Sequence, residues 1–293
     1  MTVKNRSKIC LIISFAIIAV AVLLTVLGHG INKGIDFEGG MSVEYDLHSD
    51  KVDRADVEAV LNDMGTGAFT VTQQGASDIV IRIKDVESND SDEFLTAFDD
   101  GILKVYPDAE FISKNYVGPV AGASLVKNAI LSVVIAAALM LIYIAIRFDL
   151  NSGLAAVFGL IHDVLIMLSV MIIFQIQMNS PFIAAALTIV GYSINNTIVI
   201  FDRIRENAKK MPSAPREEVT NISIRQSLGR TVCTTVTTLI TIVALCILGV
   251  TSIREFALPI IIGIVAGVYS ANMINGYVWA FLEEKRLARK AKA

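Results

Sequence analysis

Charge is what this sequence has least of. Only 18% of its 293 residues are Asp, Glu, Lys or Arg, against 54% hydrophobic, and the mean hydropathy is +0.62. Soluble domains carry nearer a quarter charged residues, so the composition points to a membrane protein. Cysteine is also scarce: Cys10, Cys233 and Cys246 all fall in apolar runs, which reads as small buried apolar residues and leaves no disulfide framework outside them. Histidine occurs three times, as His29, His48 and His162, without the clustering a metal site needs. No nucleophile–base pair accompanies them, so neither a catalytic outer domain nor an intramembrane hydrolase is indicated, and the chain is expected to be no enzyme. Its net charge of −3 gives no reason to invoke nucleic acid.

What is present is apolar sequence in long runs. A helix needs about 20 apolar residues to cross roughly 30 Å of hydrocarbon. Six stretches qualify, near 9–28, 127–146, 153–174, 181–201, 232–250 and 258–281. The first follows Lys4, Arg6 and Lys8, as a signal peptide would. But its apolar run from Ile9 to Leu27 exceeds a signal core of about 7–15 residues, and it ends in Gly28-His29-Gly30 without a small-residue cleavage site. A retained first helix is therefore expected.

Basic residues orient the chain. With the N-terminus inside, the inner segments 1–8, 147, 201–230 and 285–292 hold 16 of the 25 Lys and Arg, while the short outer pieces hold only Arg254. The remaining 8 lie in the long outer segment 29–127, together with 19 acidic residues. Both termini are thus expected in the cytoplasm. The segment 202–230 reads as a basic cytoplasmic loop, firstly a topology signal and also able to touch anionic lipid. The resulting domains are a first helix over 1–28, an outer domain over 29–126, five helices over 127–281 and a basic tail over 282–293.

The outer segment alternates strand and helix patterns. "MSVEYDL" (41–47) alternates as a strand, and 53–65 places Val57, Val60, Leu61 and Met64 on one helical face. Strands 69–74 and 78–85 flank Gly75-Ala76-Ser77, a hairpin signal. A helix over 91–106 and a strand over 109–117 complete the order β-α-β-β-α-β, a ferredoxin-like split motif.

Polar residues inside apolar helices are costly and become functional candidates. His162 and Asp163 stand in the third helix; because they are consecutive they point about 100° apart and need not touch. The fourth helix carries Ser193, Asn195, Asn196 and Thr197. The fifth opens at Arg230 and carries a run of threonines, whose hydroxyls can return to carbonyls four residues back. The sixth holds Ser270, Asn272 and Asn275, beside a ridge of Gly263, Gly267 and Ala271 suited to close packing. The charged run Asp202–Glu206 reads mainly as a solvated anchor of the fourth helix. Polar groups on consecutive helices at compatible depths are how a wet or protonatable path would look.

These motifs resemble the SecF family of the resistance-nodulation-division (RND) superfamily. The match lies in "GIDFEGG" (34–40), which includes Asp36, Gly39 and Gly40; in "YVGPVAGASLVKNA" (116–129) and "YIAIRFD" (143–149); in the His162-Asp163 pair; in "GYSINNTIVIFDRIREN" (191–207), with Asn195, Asp202 and Arg203; and in "SLGRTVCTTVTTL" (227–239). The resemblance implies a six-helix membrane bundle, half of an RND transporter, with an extracytoplasmic α+β ferredoxin-like domain. It implies a SecD partner, the SecYEG channel and an exported unfolded polypeptide. It also implies action in the bacterial cytoplasmic membrane, driven by the proton gradient without any cofactor. In similar sequences the fourth-helix motif reads Asn-Asp-Thr, whose Asp carries the proton and pairs with an Arg opening the fifth helix. Here Arg230 is kept, but Asn196 replaces the Asp and cannot titrate. Three expectations follow: SecD supplies the carboxylate to Arg230, the favoured one; Asp163 with His162 carries the proton step; or the subunit is a structural partner that conducts no protons. An Asn carbonyl also leaves Na⁺ open as the coupling ion. A half-size RND exporter of lipid or drug is disfavoured by the single compact outer domain.

Overall fold

The computed structural model describes residues 3–49, 52–74, 77–84 and 91–290. It divides into a helical unit, residues 1–32 and 130–293, and a smaller unit, residues 33–129.

The smaller unit opens with a short helical turn, α2 (Ile35–Glu38), after the first long helix, α1 (Val3–Val26). Then come β1 (Gly40–Asp46), α3 (Arg54–Asp63), β2 (Phe69–Gln74), β3 (Asp78–Ile83), α4 (Ser91–Val105) and β4 (Glu110–Val117). The sheet order is β2-β3-β1-β4 with all neighbours antiparallel, the arrangement the split motif demands. Strand alternation makes one face: Met41, Val43 and Tyr45 of β1 and Ile79, Ile81 and Ile83 of β3 are buried against Val57 and Leu61 of α3 and Phe98 and Ile102 of α4. Asp53 caps α3 by accepting from the Ala55 amide at 2.9 Å, and Gly65 at φ +67° follows its end. Gly75 and Ala76 of the expected hairpin turn lie outside the described residues.

Gly39 and Gly40, at φ +83° and +120°, adopt backbone that other residues resist, and a β-carbon on Gly40 would strike the Ile83 carbonyl. The turn they close, with Asp36 and Phe37, packs its carbonyls against Gly122, where an added β-carbon would lie 2.9 Å from the Phe37 oxygen. "GIDFEGG" and "VAGAS" are thus two halves of one close backbone contact.

The helical unit comprises α1, most of α5 (Pro119–Arg147), α6 (Leu150–Ile173), α7 (Ser180–Lys210), α8 (Arg216–Leu248), α9 (Thr251–Ser270), a π-helical turn (Ala271–Asn275) and α10 (Gly276–Lys290). The last three are continuous, so six helices among the described residues are long and apolar enough to cross a membrane. Residues of α6, α7 and the α9–α10 span form the interior. α1, α5 and α8 are peripheral, with only 11%, 6% and 11% of their most apolar windows buried. Cys233, expected to be buried, is exposed because α8 is peripheral.

The stretch 202–230 is not an irregular loop. α7 continues to Lys210 and α8 begins at Arg216, leaving only Met211–Pro215 between them. Hydropathy marks the length that fits hydrocarbon, whereas these helices run on as charged, mutually bonded ends. Arg203 donates to Gln226 at 2.7 Å and pairs with Glu206; Asn207 donates to Ser223 at 2.9 Å and to Gln226 at 2.8 Å. The charged run therefore staples α7 to α8 as well as ending a hydrophobic span, while Asp202 itself is exposed.

Candidate functional site

Asp163 on α6 is wholly buried, without a Lys or Arg partner among the described residues, and hydroxyls and an imidazole surround it instead. One carboxyl oxygen accepts from Ser193 of α7 and from Ser270 of α9, the latter at 2.9 Å. The other lies 2.9 Å from His162 Nδ1. His162 Nε2 lies 2.7 Å from Ser14 Oγ on α1, and the imidazole stacks on Tyr269, whose hydroxyl donates to the Cys10 carbonyl at 2.6 Å. Four helices thus meet at the His162–Asp163 pair: α6 carries it, α7 and α9 donate to the carboxyl, and α1 reaches the imidazole. The adjacent His and Asp do touch, which their consecutive positions permit but do not require. Their Cα–Cβ bonds diverge, but Nδ1 is the ring nitrogen nearest the backbone and reaches across.

Close helix approach is what permits this. Gly267 faces the site, and a β-carbon there would sit 3.3 Å from Ser193 and 3.5 Å from Asp163. Gly263, one turn earlier, packs directly on Ile189. The small-residue ridge of the sixth span is thus a packing surface against α7, as its spacing suggested.

A second polar layer lies toward the π-turn. Asn275 donates to Thr197 at 2.9 Å, and Thr197 donates to the Ser193 carbonyl at 3.2 Å, which joins the two layers. Asn272 donates to the Val268 carbonyl at 2.8 Å. Asn196 is 2% exposed, and its Nδ2 has no hydrogen-bond partner, nor do Oδ1 of Asn272 and Asn275. Gly159 on α6 leaves room for the Asn275 amide. Buried amide atoms without partners are rare in packed interiors, which makes this layer a candidate site.

The remaining candidates are elsewhere. Asn195 is exposed on α7, and Arg230 is exposed on α8 with no ion pair among the described residues. The threonines after Arg230 do return their hydroxyls to the helix: Thr234 to the Arg230 carbonyl at 3.0 Å and Thr238 to the Thr234 carbonyl at 3.0 Å. Sequence reasoning missed Ser14 and Tyr269. Ser14 had a faint signal, as the one hydroxyl in the first half of an apolar run; Tyr269 had none.

Chemically, the His162–Asp163 pair can hold zero net charge as carboxyl with neutral imidazole or as carboxylate with imidazolium. Loss of one proton leaves a net negative charge that only neutral donors, the two serine hydroxyls and the imidazole N–H, can oppose. Such a pair holds a proton donor and a proton acceptor together in one buried hydrogen-bonded unit.

Residues 98–285 match the family model described as protein export membrane protein SecD/SecF, C-terminal. The SecF protein translocase subunit of Cereibacter sphaeroides is 36% identical over 86% of this chain and 80% of its own length. This chain belongs to the SecF family. As a family member it is a multi-pass membrane protein of protein export. The SecDF protein translocase subunit of Thermus thermophilus is 41% identical over 63% of this chain but only 25% of its own length. The crystal structure of SecDF from that organism, described as a translocon-associated membrane protein, superposes with a TM-score of 0.85 at 31% identity. It covers 96% of this chain and 38% of that one. The chain therefore spans well under half of that solved relative, with the whole six-helix and α+β architecture included.

Proposed function

We propose that this chain is the SecF half of a two-subunit accessory to the Sec protein translocase. It acts with a separate SecD subunit beside the SecYEG channel in the bacterial cytoplasmic membrane, with both termini in the cytoplasm. The part of the fused SecDF relative that this chain does not span supports a separate partner half. The role is transport without covalent catalysis: the proton gradient moves the helical unit, and the outer unit acts on the emerging unfolded polypeptide.

The observation that carries the coupling step is the buried His162–Asp163 pair and its hydrogen-bond partners on α1, α7 and α9. Protonation of the Asp163–His162 pair changes the charge enclosed by α1, α6, α7 and α9 by one unit. Moving one charge through 100 mV is worth about 2.3 kcal/mol, enough to bias a rearrangement of similar cost. Asp163 thus takes the step that a carboxylate at position 196 takes in similar sequences. Arg230, exposed on α8, faces outward to a carboxylate of the SecD subunit.

The test is export of a precursor polypeptide into inverted membrane vesicles with and without a proton gradient. Asp163→Asn is expected to abolish the gradient's effect, and Asn196→Asp to leave it intact. If Asp163→Asn keeps gradient dependence while Arg230→Ala loses it, the titrating carboxylate belongs to the partner. If the parent shows no gradient dependence, the subunit is a structural partner of the channel.

Sodium is the second reading of the coupling ion, favoured by the unpartnered amide oxygens of Asn272 and Asn275. Export that persists with a sodium gradient alone, and is lost in Asn275→Leu, would decide for it.

A further inference from the structure

At the end of the helical unit where α5 meets α6 and α7 turns into α8 lies a cavity of about 240 Å³. Arg205 and Lys209 of α7, Arg216 of α8, and Trp279 and Glu283 of α10 line it, with Asp149 at the start of α6. This cavity has no part in the polar layers around Asp163.

Its charges are unequally engaged. Asp149 is occupied as the cap of α6, accepting from the Ser152 amide at 2.7 Å. Glu283 is held between Asn151 at 2.7 Å and Arg286 at 2.6 Å. The three cations make no ion pair among the described residues: Arg205 donates only to the Arg147 carbonyl at 3.2 Å, and Arg216 to the Pro212 carbonyl at 3.4 Å. Three cations converge on a concave space backed by a tryptophan that is 6% exposed. The space is several times the ~30 Å³ share of one water molecule. Guanidinium forks and an ammonium so placed suit the oxygens of a phosphate group.

The surroundings indicate the kind of phosphate. Ile146 and Leu150, in sequence beside the lining residues Phe148 and Asp149, are 82% and 63% exposed. Large apolar side chains next to a polar cavity fit a ligand with a charged head and acyl tails. The excess of basic residues assigns this end to the cytoplasmic side, where the leaflet is anionic.

We propose that this cavity seats the phosphate headgroup of an anionic phospholipid. The proposal rests on the chain being a membrane protein and is independent of proton coupling. The alternative is that the three cations are only solvated topology signals. In that case they would attract anionic lipid no better than Lys210, which stands at the same end outside the cavity lining and pairs with Glu206 at 2.6 Å.

Trp279 is the chain's single tryptophan, so its fluorescence reports on the cavity alone. The full chain is reconstituted in phosphatidylcholine vesicles, with either bromine-labelled phosphatidylglycerol or bromine-labelled phosphatidylcholine added as quencher. Stronger quenching by phosphatidylglycerol is expected. Lys209→Gln, which breaks no bond among the described residues, should lower that preference about fivefold, as should Arg216→Gln. Lys210→Gln should leave it unchanged. Equal quenching by the two lipids, or an equal loss in Lys210→Gln and Lys209→Gln, overturns the proposal. Relief of quenching by millimolar inorganic phosphate overturns the lipid assignment in favour of a soluble phosphate.

Discussion

At the scale of single residues, the site sets stability against use. Ser270 donates to a buried carboxyl, so Ser270→Ala leaves that oxygen short of one donor. The expected cost is about 1–3 kcal/mol, read as a lower unfolding temperature in detergent. Asn196 behaves oppositely. Its Nδ2 is buried without a partner, so Asn196→Leu removes a desolvated donor and should raise the unfolding temperature or leave it unchanged while impairing export. The sequence made Asp163, His162 and Asn196 visible because ionisable and amide groups stand out in apolar helices. It could not rank them. That Asp163 takes donors from α7 and α9, while Arg230 is exposed, depends on helix rotations and neighbours that a single chain does not encode locally.

At the scale of elements, hydropathy found the six helices among the described residues that are long and apolar enough to span, but misjudged where helices end. α5 starts before its apolar run and α7 continues past its own, because backbone hydrogen bonding is indifferent to the polarity that hydropathy counts. The α7–α8 pair shows what the polar extensions do. Asn207 bridges Ser223 and Gln226 from a position that is 4% exposed. Asn207→Ala is expected to destabilise the pair by about 1–3 kcal/mol and to speed proteolysis within 211–215, the connection between the two helices. In the smaller unit the strand and helix periods were legible because β1, α3, β3 and α4 each bury apolar residues on one side against the same core. The short turn α2 was not, since four residues show no period.

At the scale of the whole molecule, two units with separate cores should respond differently to pH. Tyr45 anchors the α+β core and bonds Asp99; burial first, and then that carboxylate, hold its hydroxyl well above the ordinary value of 10. The protonated form is favoured when folded, so Tyr45's contribution is intact below pH 10 and declines as pH rises beyond it. The α+β unit should therefore lose thermal stability between pH 10 and 11.5, with a flatter dependence in Tyr45→Phe. A scan that lowers both units equally, or neither, would contradict this.

The π-turn at Ala271–Asn275 connects the sites described here. Ser270 of the Asp163 layer precedes it, its own Asn272 and Asn275 form the amide layer, and Trp279 and Glu283 of the basic cavity follow. A π-turn holds one residue more than an α-turn, so the two halves of the sixth span are out of phase by about 100°. If that surplus residue passes one position along the chain, the residue it crosses rotates by the same angle while the helix stays whole. The span can thus work as a screw thread, turning the amide layer against the carboxyl layer while its far end stays in place.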